Sequence, residues 1–543
     1  MPAHRPPRHR RGLRAAAAAT AALLAGLAPA TAQADPTAEA GALDRVGRPA
    51  QQPAPADDAE LRRALDAVVA YSPPDTCLAV AIDGVAVYGH DDEQPLVPAS
   101  VEKLFTARVA LDVLGADARF ETQVVAASPP VDGVLQGDLT LVGGGDPMLV
   151  TDAYREVVRL APDRPTTRFD DLADQLVAAG VRRVSGRVVG DEARYDQVRT
   201  GPTWPERYTT TQQQSGPLSA LEVDDGYVLV GPPIGVEGPV GRERAPDPAA
   251  NAARLLTERL VIRGVQVDGA AFPGPGRAPE GAVRLAGVTS PPVGEIVDHV
   301  LRASDNQAAE LLTKEIGRVT GGGGSTEAGT AAIDRRLGEL GVERTGADAV
   351  DGSGLDPTNR ATCASIVSVL DSSGGAAGPL ATGLPVAGRS GTLGDRFRGT
   401  PAEGRLRAKT GSLNSVTSLA GFVDLQEGGT ATFAYVANGR PVDADVLRAQ
   451  DLLAAVLGGY LPPCPAPGAG GLVAPLAPYA AQVGTLAMFP LQSVLLPGAV
   501  LPLHVFEDRY RALVDRCLAL QEDFGVALIS RGSEVGGDDV RTD

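Results

Sequence analysis

The feature that most constrains this chain is a serine and a lysine three residues apart, Ser100 and Lys103, at the start of a predicted apolar helix. Side chains at positions i and i+3 share one face of a helix, so the hydroxyl and the amine are expected to lie together. A serine is a good nucleophile only when a base lies within hydrogen-bond distance, and lysine is a base only when its surroundings lower its pKa. The pair indicates acyl-transfer chemistry, and the alternative is an N-cap serine followed by a surface lysine.

Lysine is rare in this chain, which makes each lysine informative. Of the 49 basic residues, all are arginine except Lys103, Lys314 and Lys409. Arginine keeps its proton in proteins, whereas a lysine amine can act as a base or as a compact point charge. Lys103 and Lys409 fall in motifs, and Lys314 is predicted to be a solvated helix residue.

Two further motifs follow the first along the chain. Ser-Asp-Asn at 304–306 lies at the start of a predicted helix, and Lys-Thr-Gly at 409–411 precedes a predicted hairpin over 418–437. Lys409 is therefore expected on a strand beside the cleft. The first motif supplies a nucleophile with its base, the second a hydroxyl and an amide, and the third a cation for a carboxylate. This set in this order is typical of penicillin-binding proteins and class A β-lactamases.

With these residues the chain resembles the D-alanyl-D-alanine carboxypeptidase/endopeptidase family of low-molecular-mass (class C) penicillin-binding proteins, over about residues 57–461. Three other segments look like that family: Gly-Gly-Gly-Asp-Pro at 143–147, Asp-Gly-Ser-Gly-Leu at 351–355 and Arg-Ser-Gly-Thr-Leu at 389–393. Ser100 and Ser304 are 204 residues apart, more than in a β-lactamase. The resemblance implies an α/β (α+β) fold of the penicillin-binding-protein/β-lactamase-like transpeptidase type, with helices on both faces of an antiparallel sheet and a large inserted region.

The resemblance also implies a serine peptidase that acts on peptidoglycan stem peptides. Ser100 would attack the carbonyl between two terminal D-alanines, Lys103 would take its proton, and Ser304 would relay a proton to the departing D-alanine. Water would then hydrolyse the acyl-enzyme, and β-lactam antibiotics would stay attached as covalent inhibitors. Glu102, an acid inside the first motif, is expected to point away from Lys103, since otherwise the lysine would stay protonated.

Substrate binding is assigned by the same resemblance. Asn306 would hold the substrate amide, and Lys409 with Thr410 would bind the terminal carboxylate. The backbone N–H groups of Ser100 and Ser412, which follows Gly411, would form the oxyanion hole. Trp204 and Glu206 are predicted to help shape a pocket for the cationic end of the stem peptide.

The domain organisation follows from composition and pattern. The net charge of −18 argues against nucleic acid as a partner. Five arginines precede an alanine and leucine run and then a small-x-small site at 32–34, which is typical of an export signal. The protein is therefore expected outside the cytoplasm, in the cell wall or a periplasm-like space, with no membrane-spanning segment in the mature chain. The predicted segments are a signal peptide (1–34), a flexible leader (35–56), the peptidase domain (57–120 and 291–461), inserted domains (121–290), a linker (462–484) and a tail (485–543).

The four cysteines could form disulfides in an oxidising compartment. A bridge between Cys77 and Cys464 is the first expectation, because it would join the two ends of the core. Cys363 is expected to be a buried helix residue, and Cys517 belongs to the tail. The five histidines form no cluster with metal-ligand spacing, so neither a metal nor another cofactor is expected.

The tail has a different character from the rest of the chain. Segments 489–491 and 506–510 resemble the opening of a Lon-type substrate-binding domain, here truncated. We expect this tail to be poorly ordered. A membrane anchor over 486–506 is the alternative, which Pro490, Pro497 and Pro502 disfavour.

Other functions remain open from the residues alone. A serine β-lactamase or an esterase could use the same fold, and a non-catalytic peptidoglycan-binding or antibiotic-sensing module could keep it without the chemistry. A Ser-His-Asp hydrolase that uses His90 or His299 is disfavoured, because the chain has no Gly-x-Ser-x-Gly segment.

Overall fold

The computed structural model describes residues 58–231, 240–269, 276–426, 428–439 and 444–459, together with the backbone of three short strands near the C-terminus. The predicted export signal, leader and linker lie outside the described residues. Within the described part the helices are α1 (Asp58–Tyr71), α2 (Lys103–Val113), α3 (Asp152–Val158), α4 (Asp170–Ala178), α5 (Glu206–Thr209), α6 (Pro248–Ile262), α7 (Val293–Ala303), α8 (Asn306–Val319), α9 (Thr326–Glu339), α10 (Cys363–Ser372), α11 (Pro379–Gly383) and α12 (Ala444–Gly459).

The strands fall into one large sheet and several smaller ones. Along the chain they are β1 (Asp75–Ile82), β2 (Val85–His90), β3 (Glu121–Ala126), β4 (Val134–Leu135), β5 (Leu139–Val142), β6 (Leu149–Val150), β7 (Thr167–Arg168), β8 (Arg183–Val184), β9 (Val188–Asp191), β10 (Tyr227–Val230), β11 (Gly241–Arg244), β12 (Gln266–Val267), β13 (Val283–Thr289), β14 (Leu406–Leu413), β15 (Val416–Asp424), β16 (Thr430–Asn438), β17 (Ala487–Leu491), β18 (Phe524–Arg531) and β19 (Arg541–Thr542).

The central sheet joins the two ends of the peptidase region. Its strand order is β14-β15-β16-β1-β2, and every neighbouring pair is antiparallel. The predicted hairpins over 77–88 and 418–437 are both present, as β1–β2 and β15–β16. An early strand therefore lies beside a late one, although the 347 residues of 83–429 separate β1 from β16 in the chain.

Helices cover both faces of this sheet, as predicted. Alternate residues of a strand point to opposite faces, and along β1 Cys77 packs with one group of helices while Leu78 packs with another. The first group includes α2, α7, α8, α9 and α10, and the second includes α1 and α12. In α1 the apolar Leu61 and Leu65, which recur at helical spacing, are both buried against the sheet.

The region between β3 and β13 has sheets and a hydrophobic core of its own. A four-stranded sheet has the order β13-β3-β5-β9, and a three-stranded parallel sheet has the order β12-β8-β4. Helices α4 and α6 bury Leu172, Leu176, Leu256 and Leu260 in this core. The separate core fits the prediction of an insertion, and the domain boundaries at 120 and 290 stay a prediction.

The predicted disulfide pairing is wrong. Cys77 on β1 is bonded to Cys363, the first residue of α10, across 286 positions of sequence. Both residues are fully buried because α10 packs directly on the central sheet. The expected partner, Cys464, lies outside the described residues.

The prediction for Lys314 is also wrong. This lysine is fully buried rather than solvated, and its ammonium pairs with Asp196 of the inserted region. The physical reason is the position of α8, which is buried on every side from Gln307 to Gly317. A carboxylate 118 residues earlier in the chain makes this burial possible, since a buried charge needs a partner.

The tail is described only as backbone strands. Strand β17 pairs with β18 in parallel, and β18 pairs with β19 antiparallel. The other residues of the tail lie outside the described part, and so does the prediction of poor order. None of the described helices combines the length and apolar character needed to cross a membrane.

Candidate active site

The first motif spans a short 3₁₀ turn and the start of α2. Ala99–Glu102 forms the turn, and α2 begins at Lys103, so Ser100 and Lys103 face the same side. The Lys103 ammonium donates to Ser100 Oγ at 3.0 Å. It also donates to Asn306 Oδ1 at 2.6 Å and to the carbonyl of Ser353 at 2.6 Å. An ammonium has three N–H donors, and these three acceptors match them.

The second motif joins α7 to α8. Ser304 is left-handed, with φ 60°, and ends α7, while Asp305 caps α8 by accepting from the Ala308 N–H at 3.0 Å. The Asp305 carboxylate also lies 3.1 Å from His299 Nε2. This turn brings Asn306 to Lys103 of the first motif and Ser304 to Lys409 of the third.

Gln214, which lies between β3 and β13 in the chain, contacts Asn306. The amide nitrogen of Asn306 donates to the carbonyl of Gln214 at 2.8 Å, while its oxygen accepts from Lys103. Because both ends of the amide are engaged, the orientation of the Asn306 side chain is defined. The insertion thus supplies part of the site.

The third motif lies on β14, the edge strand of the central sheet. Lys409 is fully buried, and its ammonium donates to Ser304 Oγ at 2.9 Å and to the carbonyl of Thr410 at 2.7 Å. The Thr410 hydroxyl donates to Thr392 Oγ1 at 2.8 Å. The structure therefore brings all three motifs together, as the sequence predicted.

Strand β14 passes very close to Ser100. A Cβ added at Gly411 would lie 3.0 Å from the backbone nitrogen of Ser100 and 2.1 Å from Ser418 Oγ, so only glycine fits there. Ser412, the next residue, lines the cleft together with Ser100. This arrangement is compatible with an oxyanion hole formed by the two backbone N–H groups, which stays a prediction.

The charge state of Lys103 is set by its burial. Burial lowers the pKa of Lys103 from its ordinary value of 10.5 to about 8, against the opposing effects of Asp351, Glu310, Asp305 and Glu102. With this pKa about a tenth of the lysine is neutral at pH 7. A neutral amine 3.0 Å from Ser100 Oγ can accept the hydroxyl proton.

Lys409 is perturbed in the same direction. Burial, and after it the positive charge of Lys103, holds the pKa of Lys409 well below its ordinary value. An anion in the cleft would reverse this effect, because a neighbouring negative charge favours the ammonium form. The site is therefore suited to an anionic group.

Glu102 does not disturb the pair. It is buried, and its carboxyl pKa is raised to about 8, first by burial and in spite of the positive charge of Arg344. The Lys103 ammonium is directed instead to Ser100, Asn306 and Ser353. Of the four carboxyl groups that act on the pKa of Lys103, Glu102 has the smallest effect.

The motifs open on a cleft of about 820 Å³, which is in the range of small-ligand sites. The residues that line it are Ser100, Tyr208, Gln212, Gln214, Ala303, Ser304, Asn306, Leu355, Thr392, Thr410, Ser412, Leu413, Asn414 and Ser415. Trp204 and Glu206 are not among these lining residues. The indole of Trp204 donates to Asp351 at 2.7 Å, and Glu206 is exposed at the start of α5. Their predicted role in a stem-peptide pocket stays a prediction.

Several contacts of the site escaped the sequence reasoning. The carbonyls of Ser353 and Gln214 hold Lys103 and Asn306, and backbone carbonyls carry no residue-type signal. Thr392 and Asn414 line the cleft without a predicted role. For Thr392 a signal was present, because it lies in the Arg-Ser-Gly-Thr-Leu segment that resembles the family.

A known protein family matches most of this chain. The model of the D-Ala-D-Ala carboxypeptidase 3 (S13) family matches residues 62–233 and 236–457. The chain belongs to this family. A D-alanyl-D-alanine carboxypeptidase from Actinomadura sp. (strain R39) is 34% identical over 479 residues, covering 74% of this chain and 85% of the relative. The carboxypeptidase DacB of Mycolicibacterium smegmatis is 33% identical over 390 residues, covering 69% of this chain and 78% of that protein.

A solved structure shares the fold. Penicillin binding protein 4 (dacB) from Haemophilus influenzae superposes with a TM-score of 0.59 at 20% identity, covering 72% of this chain and 98% of that protein. The penicillin-binding-protein fold predicted from the motifs is therefore confirmed. A second family model, the substrate-binding domain of the ATP-dependent protease La (LON), matches residues 485–543, as the resemblance of the tail predicted.

Proposed function

We propose that this S13-family protein is a serine D-alanyl-D-alanine carboxypeptidase that binds penicillin and reacts through an acyl-enzyme on Ser100. The observation that carries the proposal is the chain of contacts from Ser100 through Lys103 to Asn306, together with Ser304, which lines the same cleft and accepts from the Lys409 ammonium. A nucleophile, a base, a second hydroxyl and a second cation in one cleft are the parts that acyl transfer needs.

In the acylation step, neutral Lys103 takes the proton of Ser100 while Oγ attacks the carbonyl of the penultimate D-alanine. The negative charge that develops on the carbonyl oxygen is stabilised by the backbone N–H groups of Ser100 and Ser412. The proposed oxyanion hole is supported by the close passage of β14 beside Ser100.

Collapse of the tetrahedral intermediate breaks the peptide bond and releases D-alanine, whose nitrogen must gain a proton. Ser304 is suited to this relay, because its oxygen already accepts from Lys409 and its own hydrogen is free to point into the cleft. It gives that hydrogen to the nitrogen and takes up the proton that Lys103 removed from Ser100, so Lys103 is neutral again. Water then attacks the ester, with Lys103 again as the base, and returns Ser100 to its resting form.

Recognition of the substrate is assigned to the two sides of the cleft. Asn306 holds the amide of the acyl part, and Thr410 contacts the terminal carboxylate, whose charge is balanced by Lys409 behind it. The lowered pKa of Lys409 supports this role, since a bound carboxylate would favour the ammonium form.

The natural substrate proposed is the stem peptide of peptidoglycan, which places the protein outside the cytoplasm. The predicted export signal at 1–34 supports this location. β-Lactams are proposed as covalent inhibitors, because they present a reactive carbonyl and a carboxylate as the peptide does. A crystal structure of the Haemophilus influenzae protein is described as a complex with a novel β-lactam.

The experiment that tests the function measures D-alanine release from peptides that end in D-Ala-D-Ala. The wild-type protein should release D-alanine, and Ser100→Ala should release none. Ser372→Ala, which removes a serine hydroxyl on α10 away from the cleft, should retain the wild-type rate. Release by Ser100→Ala at the wild-type rate would refute the mechanism, and turnover of benzylpenicillin with little peptide hydrolysis would favour a β-lactamase.

A further inference from the structure

A buried carboxyl group that the proposed mechanism does not use lies one helical turn beyond Asn306. Glu310 is on α8, four residues after Asn306, and is fully buried. Its Oε1 accepts from the backbone N–H of Gly352 at 3.1 Å and of Ser353 at 2.8 Å. Burying a carboxyl group is costly unless it is hydrogen-bonded, so a specific role is expected for these bonds.

The N–H groups that Glu310 accepts from belong to the turn at residues 351–355. This turn lies between α8 and the first motif. A Cβ at Gly352 would lie 1.8 Å from Thr313 Oγ1, and one at Gly354 would lie 1.9 Å from the carbonyl of Ala99. Gly354 also has φ +80°, which other residues rarely adopt. The Thr106 hydroxyl donates to the carbonyl of Gly352 at 2.8 Å. The turn therefore has little room to move.

This turn presents the acceptor that Lys103 uses. The carbonyl of Ser353 accepts from the Lys103 ammonium at 2.6 Å, and the backbone N–H of the same residue is the one held by Glu310. Two of the three acceptors around Lys103 thus depend on α8: Asn306 contacts the ammonium directly, and Glu310 acts through the Ser353 peptide group.

We propose that Glu310 is a positioning residue for the general base, because its carboxyl group fixes the Ser353 carbonyl against the Lys103 ammonium and, when ionised, favours the ammonium form. The proposal rests on the proposed function, in which Lys103 takes the proton of Ser100. Nothing in it requires Glu310 to touch the substrate.

The charge of Glu310 has a second consequence for Lys103. Burial, and then the negative charge of Asp351, raises the carboxyl pKa of Glu310, and the negative charge of Glu310 in turn raises the pKa of Lys103. The negative form favours the ammonium, so a neutral replacement lowers the pKa of Lys103. Several titratable groups on the surrounding elements act on Lys103. They are Glu102 in the 3₁₀ turn of the first motif, Asp305 at the N-terminus of α8, Glu310 within α8, Asp351 in the turn at 351–355, and Lys409 on β14.

The test compares the rate of acylation by a fluorescent penicillin across pH 6 to 10 in three variants. Glu310→Gln removes the charge and keeps the size of the side chain. Glu310→Asp keeps the charge and withdraws the carboxyl group by one methylene. Glu315→Gln is the matched control, because Glu315 is buried on the same helix but pairs with Arg194 of the inserted region. The melting temperature of each variant separates loss of fold from loss of rate.

The two Glu310 variants should change different parts of the pH profile. Glu310→Gln should move the acidic limb of the profile to lower pH, because Lys103 then loses its proton more easily. Glu310→Asp should keep the limb in place and lower the plateau by roughly tenfold or more, because the Ser353 carbonyl is displaced. Glu315→Gln should match the wild type in both respects.

Three outcomes would overturn the proposal. The first is a folded Glu310→Gln protein whose acylation rate falls at the same acidic pH as that of the wild type. The second is a folded Glu310→Asp protein with the wild-type plateau rate. The third is a Glu315→Gln protein whose pH profile changes as much as those of the Glu310 variants. If Glu310→Gln does not fold, the plateau of Glu310→Asp decides. A wild-type protein that is not acylated at all would contradict the proposed function instead, so the two failures are distinguishable.

Discussion

Replacement of Lys103 by arginine tests the electrostatics of the site most sharply. Burial gives Lys103 a pKa of about 8 instead of 10.5, which makes the neutral amine about 300 times more abundant at pH 7. That difference corresponds to about 3 kcal/mol. Arginine keeps a positive charge at this position but cannot give up its proton, so Lys103→Arg loses the base. We expect acylation to fall by roughly 10² to 10⁴-fold, the usual contribution of a general base.

The assay is the second-order rate of labelling by a fluorescent penicillin as a function of pH. In the wild type the rate should rise about tenfold per pH unit below about pH 8 and then level off, because the base is active only when neutral. Lys314→Arg is the control, since it changes an equally buried lysine that pairs with Asp196 outside the cleft. Lys103→Met serves as a second variant if arginine is too large to fit.

Two results would refute this reasoning. One is a wild-type rate that continues to rise through pH 10, which would mean that Lys103 has an ordinary pKa. The other is folded Lys103→Arg or Lys103→Met protein that keeps more than about a tenth of the rate, since general-base catalysis is worth more than that.

Two predictions concern stability. Removing the buried disulfide with Cys77→Ala and Cys363→Ala should lower the free energy of unfolding by about 2–5 kcal/mol, because the bond closes a very long loop; an unchanged denaturation midpoint in guanidinium would contradict this. Asp196→Asn should lower the free energy of unfolding by about 3 kcal/mol, because the Lys314 ammonium stays buried without its carboxylate. Adding Lys314→Met to the Asp196→Asn protein should recover part of this stability. Equal denaturation midpoints for the wild type and Asp196→Asn would argue against the ion pair.

The part of the site that depends on residue type could be predicted from the sequence. Serine and lysine at i and i+3 define one helix face whatever the tertiary structure, and the rarity of lysine separated Lys103 and Lys409 from the background. The hairpin pattern around 418–437 predicted Lys409 on a strand, and in the structure that strand is β14 at the edge of the central sheet. These local signals identified the family resemblance. The fold, and the expectation that the three motifs lie together, were inferred from that resemblance.

The part that depends on distant packing could not be predicted. Whether Cys77 bonds Cys363 or Cys464 depends on which element lies against β1, and spacing holds no such information. Lys314 looks like a solvated helix residue until Asp196, far upstream, is seen beside it. The Ser353 carbonyl is a backbone acceptor, so its role depends on the geometry of its turn and not on its side chain.

The central claim is that Ser100 is the nucleophile, and identification of the acylated residue tests it most directly. The purified protein is incubated with benzylpenicillin, digested, and examined by mass spectrometry for the peptide that carries the covalent adduct. The account predicts an adduct on Ser100 and none in Ser100→Ala. An adduct on any other residue, or a folded wild-type protein that carries none, would contradict it.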